Sequence, residues 1–293
     1  MFSSIIRDYF KENSKQFIAV CGCARSGTTL MFDYLNEFED IRLVCEDNPF
    51  IEDRGYGYRS WYNSHWSSQG KIKTKGYYLP SWGEEDGFWF DYYYQMSKRY
   101  KFFGTKLAFG PHGDSYWNSI DRRALSFFQE NFPYGLYLLT VRHPAESIFS
   151  MMKMFPGADF GTLNNTWIKS LQIQLSIYGS MKRSSFIFLE DINISFLDEI
   201  NKNLGIDSSL AKTEEYIIAN NKKSSSIIEE IPEMLKPYAA QISEINKAYA
   251  FLRKDIGKNG EVNGWVHREE FCRSMWHALE YLRADSNAHF TLS

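Results

Sequence analysis

Residues 17–35, FIAVCGCARSGTTLMFDYL, constrain the fold more than any other stretch of the chain. An apolar, partly β-branched run ends at Gly22, and helical spacing resumes from Thr28 through Leu30, Met31, Tyr34, Leu35 and Phe38. This pattern predicts a buried strand, a tight loop and a helix. In such a unit several backbone N–H groups and a helix N-terminus converge on one point, which suits an anion. Gly22 and Gly27 let the chain turn sharply and let phosphate oxygens approach the backbone. The spacing is G-x-x-x-x-G-T-T, whereas the triphosphatase loop reads G-x-x-x-x-G-K-[ST], with a Lys for the terminal phosphates and a hydroxyl for Mg²⁺. Thr28 brings no charge to the lysine's place. The cation stands three residues earlier, at Arg25.

Four further stretches read as strands: IRLVCE (41–46), KFFGTKLAF (101–109), GLYLLTV (135–141) and SSFIFLE (184–190). After the third of these, Pro144 suits the first position of a helix over AESIFSMMKM, because its missing N–H would be unpaired there anyway. Strands alternating with helices predict a three-layer α/β fold around a central parallel sheet. Leu197, Ile200 and Leu204 share one helical face, and Gly205 supplies a stop. The C-terminal third is helical, with apolar stripes Tyr238, Ile242, Ile245, Tyr249, Leu252 and Phe271, Met275, Leu279, Leu282. The expected organisation is one α/β domain over 1–257 and a helical extension, 258–293, packed on it. A variable aromatic segment, 54–103, would form an acceptor wall or lid.

Composition narrows the classes. The 33 basic and 36 acidic residues leave a net charge of −3, which argues against general nucleic-acid or anionic-membrane binding. No apolar run is long enough to span a bilayer, and MFSSIIRDYFKENSKQ resembles neither a signal peptide nor an anchor. Cys21, Cys23, Cys45 and Cys272 lack metal-type spacing and fit a reducing cytoplasm, Cys21 and Cys23 as small buried thiols. A cytoplasmic protein without a metal is expected.

With the second loop in view, the chain resembles the sulfotransferases that use 3′-phosphoadenosine 5′-phosphosulfate (PAPS). CARSGTTL is similar to their 5′-phosphosulfate loop, which carries Lys or Arg just before Ser/Thr-Gly-Thr; Arg25 takes that place. Their second signature is a strand, then Arg-x-Pro, then Ser eight residues after the Arg. LLTVRHPAESIFS has Arg142, Pro144 and Ser150 at that spacing. FLEDINISFLDEINKNLGI is similar to a third, weaker element, and the resemblance covers roughly 17–206. It implies a P-loop-like sulfotransferase fold with PAPS as donor and adenosine 3′,5′-bisphosphate (PAP) as product. It also implies that Arg25, Ser26, Gly27, Thr28 and Thr29 hold the 5′ end, with the amides of 24–29, while Arg142 and Ser150 bind the 3′-phosphate. The residues agree independently: an Arg at a strand's C-terminal end beside a new helix N-terminus offers a guanidinium fork and free N–H groups together. His143 reads as a loop residue.

The chemistry needs in-line alignment, charge neutralisation and a base for the acceptor's proton. Lys106 stands where the family often places a Lys near the sulfuryl group. The cytosolic branch follows it, two residues on, with a catalytic His, and here that residue is Ala108. Other branches use a Glu after the second strand, which Glu46 provides; Asp47, Glu52 and His112 remain alternatives. Arg253-Lys254 and Lys222-Lys223 could close over the nucleotide but read as solvated charges. Trp82, Glu84, Trp89, Asp91 and His112 are the candidate acceptor contacts, aromatics and acids suited to a cationic or amine-bearing small molecule. The expected reaction is sulfuryl transfer from PAPS to a small-molecule hydroxyl or amine. A Mg²⁺-dependent kinase with an atypical loop and a non-catalytic nucleotide-binding module are the alternatives.

Overall fold

A computed structural model of the chain describes residues 8–45, 89–111, 125–206, 231–258 and 265–284. Strand β1 (Phe17–Cys23) is buried along its whole length. Its side chains alternate between two cores, Phe17, Ala19, Cys21 and Cys23 in one, Ile18 and Val20 in the other. A strand apolar on both faces belongs inside a covered sheet. With β2 (Ile41–Cys45), β3 (Phe102–Phe109), β4 (Leu136–Val141) and β5 (Ser184–Phe188) it forms a five-stranded sheet, ordered β2-β3-β1-β4-β5. Every pairing is parallel. The α/β class expected from the alternation of elements is the one observed.

Helices α1 (Thr28–Asn36), α2 (Trp89–Arg99), α3 (Pro144–Met154), α4 (Phe160–Ser180), α5 (Ile194–Leu204), α6 (Ala239–Lys258) and α7 (Trp265–Ala284) surround the sheet. Met31, Phe32 and Leu35 of α1 share one core with Leu197, Ile200 and Leu204 of α5. Buried residues of α2, α3, α4, α6 and α7 share the other. Gly205 ends α5 in the left-handed conformation, φ 59°, as a C-terminal cap should. Helix α4, which the sequence reading passed over, runs against β1, β4 and β5, and α7 packs along it. None of the described helices is long and apolar enough to cross a membrane.

Strand order positions the site. From β1 the chain crosses to β2 on one side of the sheet, and from β4 it crosses to β5 on the other. The crevice between the C-terminal ends of β1 and β4 is therefore the switch point at which open α/β sheets bind ligands. One strand boundary differs from the sequence reading by more than a single residue. β5 ends at Phe188, and Leu189–Asp191 form a single 3₁₀ turn rather than the end of a strand.

Candidate active site at the ends of β1 and β4

The loop between β1 and α1 is held by contacts that leave its outer face available. Arg25 and Gly27 have positive φ, 71° and 95°, with Ser26 between them. Alternation of this kind turns successive N–H groups toward one side. Positive φ costs a residue with a Cβ about 1–2 kcal/mol, so Arg25 stands in a strained conformation that its surroundings enforce. Glycine at 27 avoids that cost, and a Cβ there would also lie 2.6 Å from Leu189 Cδ1. At Gly22 a Cβ would lie 2.2 Å from Thr140 Oγ1 and 2.5 Å from Ser26 Oγ. Only a glycine lets the loop settle against β4.

Not every amide of the loop faces outward. Ala24 N donates to Phe109 O at 2.7 Å and Ser26 N to Cys23 O at 3.1 Å. The Ser26 hydroxyl, wholly buried, pairs with Thr140 Oγ1 at 3.0 Å. Ser26 thus braces the loop against β4, and its amide and that of Ala24 are engaged within the protein. The first rung of α1 is Met31 N to Gly27 O. The N–H groups of Thr28 and Thr29 precede that rung and have no carbonyl partner within the helix.

Arg25 reaches across the crevice, its Nε donating to Ser150 Oγ at 2.9 Å. Ser150 lies two turns into α3. The two sequence motifs, 125 residues apart, therefore meet. Desolvation, and then the like charge of Arg142, lower the Arg25 pKa from its ordinary value. Two guanidinium groups are thus gathered at one edge. Arg142 is gripped on one side by Glu146, whose Oε2 accepts from its Nε and Nη2, each at 2.7 Å. Glu146 is buried, and its Oε1 has no hydrogen-bond partner among the described residues.

Lys106, in register with Cys45 at the end of β2, is buried and donates to Thr29 Oγ1 at 3.3 Å. It thus lies beside the first turn of α1. Glu46, the residue after Cys45, lies outside the described residues, as do Asp47, Glu52, Trp82, Glu84, His112, Lys222 and Lys223. Trp89 and Asp91 fall in the first turn of α2, with side chains outside the described set. Lys254 is exposed, while Arg253 forms an ion pair with Asp191 and lies over the Phe188 ring. Burial pushes the Cys23 thiol up to about 12 and raises Cys21 as well, so neither is a thiolate at neutral pH.

His143 is more than a loop residue. It is the N-cap of α3, its N–H donates to Glu190 Oε1 at 2.8 Å, and its ring meets Tyr249 edge-on at 5.5 Å. Burial lowers its pKa, opposed by Glu190 and Glu146 and aided by Arg142 and Arg253. Glu146, Glu190 and Tyr249 were missed because their partners are fixed by folding; only Glu146, four residues after Arg142, carried a local signal.

The model of the sulfotransferase family matches residues 17–184, more than half of the chain. Among solved structures, the chain is similar to the sulfotransferase domain from the Synechococcus PCC 7002 olefin synthase. The TM-score is 0.51 at 16% identity, covering 80% of this chain and 94% of that one. At that identity the likeness speaks for the fold. No curated protein matches the chain. Because the family match runs from the start of β1 to the start of β5, and so takes in both loops of the site, the chain belongs to the sulfotransferase family.

Proposed function

We propose that this sulfotransferase moves a sulfuryl group from PAPS to the hydroxyl or amine of a small, cationic or amine-bearing molecule in the cytoplasm, using a carboxylate base. The observation that carries the reading is the Arg25–Ser150 hydrogen bond, with Arg142 close enough to depress the Arg25 pKa. Two cations, a hydroxyl and the leading amides of α1 converge at the switch point of the sheet. Like charges brought together disfavour one another and favour an anion between them. This donor set fits a nucleotide with phosphate at both its 5′ and 3′ positions.

PAPS, when bound, supplies a sulfuryl group whose leaving group is a nucleotide phosphate. Arg25 and the Thr28 and Thr29 amides neutralise charge at the 5′ end, where removing one such donor typically costs about 3 kcal/mol of barrier. Lys106, bonded to Thr29, supports the same end. Arg142 and Ser150 hold the 3′-phosphate and so fix where the nucleotide lies along the crevice. Glu46, one residue past the register partner of Lys106, would take the acceptor's proton.

Thermal unfolding with PAP in EDTA, and in parallel with Mg-ATP in buffer without EDTA, tests the donor. PAP at a hundredfold excess over its Kd should stabilise the protein by about 2.7 kcal/mol without metal. Stabilisation by Mg-ATP alone would instead favour a kinase. For the base, Glu46→Gln should slow transfer about a hundredfold with PAP affinity unchanged. Unaltered turnover would remove Glu46 from that role.

A further inference from the structure

Arg142 projects from a sharp elbow, Arg142-His143-Pro144, between β4 and α3. Pro144 has no N–H, so His143 offers the first amide after Arg142 by which the elbow can be tied. That amide donates to Glu190 Oε1 at 2.8 Å. The other oxygen of Glu190 accepts from Tyr249 Oη at 2.8 Å. Tyr249 is only 4% exposed, on α6, more than a hundred residues along the chain from Arg142. Its ring also packs edge-on against His143 and Phe188. From the other side, Trp167 Nε1 donates to the carbonyl of Arg142 at 3.3 Å. Leu189, next to Glu190, is the residue whose side chain abuts Gly27.

We propose that Glu190 and Tyr249 are positioning residues for Arg142: a hydrogen-bonded chain from α6 that sets the elbow's angle and thereby the aim of the guanidinium. The inference rests on the reading of Arg142 as the ligand of the 3′-phosphate. A carboxyl group offers a phosphate no attraction, so the contribution of Glu190 to phosphate binding is geometric. Both of its oxygens are engaged by groups that define the elbow, one directly and one through α6. The hydroxyl of Tyr249 keeps the carboxylate from swinging away from the His143 amide. Arg253 and Asp191 add a second tie to α6, at a partly exposed pair that contributes little.

The test uses the whole chain and two readouts. The first is the Nε–H resonance of Arg142, assigned by its loss in Arg142→Lys. The second is the ratio of affinities for PAP and 5′-AMP, which lacks the 3′-phosphate. Glu190→Ala should shift or broaden the resonance and reduce the PAP preference about tenfold; Tyr249→Phe should do so about threefold. Affinity for 5′-AMP should stay within about twofold in both, since the 5′ end is held elsewhere. Glu190→Gln should resemble wild type, because an amide can give its oxygen to the His143 N–H and its NH₂ to the Tyr249 oxygen. An unchanged resonance in Glu190→Ala and Tyr249→Phe, or equal weakening of both nucleotides, overturns the proposal. If the resonance responds as expected but wild type shows no preference for PAP, the positioning stands and the 3′-phosphate reading falls. Should Glu190→Ala fail to fold, Tyr249→Phe carries both readouts, as it removes one hydroxyl only.

Discussion

At the N-terminal end of the sheet, Phe17 of β1, Phe103 of β3 and Tyr137 of β4 meet Phe10, Phe128 and Phe132. Phe17 and Phe132 stack at 3.8 Å, 8° from parallel. Toward the C-terminal end β1 and β4 lead to Arg25 and Arg142, and β3 carries Lys106, which reaches Thr29. One end is dry and close-packed, the other gathers cations, strained backbone and a buried carboxylate. The first end stabilises the domain and gives a ligand nothing to bind. The second holds like charges and a residue at positive φ, arrangements that cost stability and suit an anion. The aromatic richness of the chain divides along this line: Tyr93 and Phe103, inside the segment expected to wall the acceptor site, are core residues.

Substitutions at the two ends should separate stability from binding. Phe132→Ala, at a fully buried ring, should lower unfolding free energy by about 3–5 kcal/mol in denaturant titration while the folded fraction binds PAP as before. Arg25→Ala should do the reverse, weakening PAP binding at least about a hundredfold by calorimetry with little change in melting temperature. A smaller effect isolates the strain. Arg25→Gly should be about 1 kcal/mol more stable than Arg25→Ala, because only glycine adopts φ 71° without penalty. Equal stabilities would mean that the loop relaxes. The smallest effect is on pH. The pKa of His143 is lowered in the folded protein, so below its ordinary value of 6.5 the unfolded chain binds more protons. Stability should therefore fall as pH drops from 6.5, by less than about 1.4 kcal/mol per unit for one half-buried group. His143→Phe should flatten that slope between pH 6.5 and 5.5, and an unchanged slope would assign it to other groups.

Much of the C-terminal end was legible in the sequence because its signals are local. Gly22 and Gly27 mark backbone that tolerates no side chain, and Arg142, Pro144 and Ser150 lie within two helical turns of one another. The α/β class followed from apolar runs alternating with helical spacing. What escaped depends on contacts between distant residues. Nothing near Ala24 announces that its amide is engaged by the Phe109 carbonyl. Likewise Tyr249 reads as one more member of an apolar stripe, and only folding carries its hydroxyl to Glu190. Strand order had the same limit: strand periodicity identified β3, but pairing placed it between β1 and β2.

Transfer of labelled sulfate from PAPS to a panel of small alcohols, phenols and amines, in EDTA, tests the central claim most directly. The account predicts acceptor-dependent labelled product with matching release of PAP, both lost in Arg142→Ala and retained by the folded fraction of Phe132→Ala. Absence of transfer and of PAP release with every acceptor, alongside phosphoryl transfer from Mg-ATP in a parallel assay without EDTA, would contradict it.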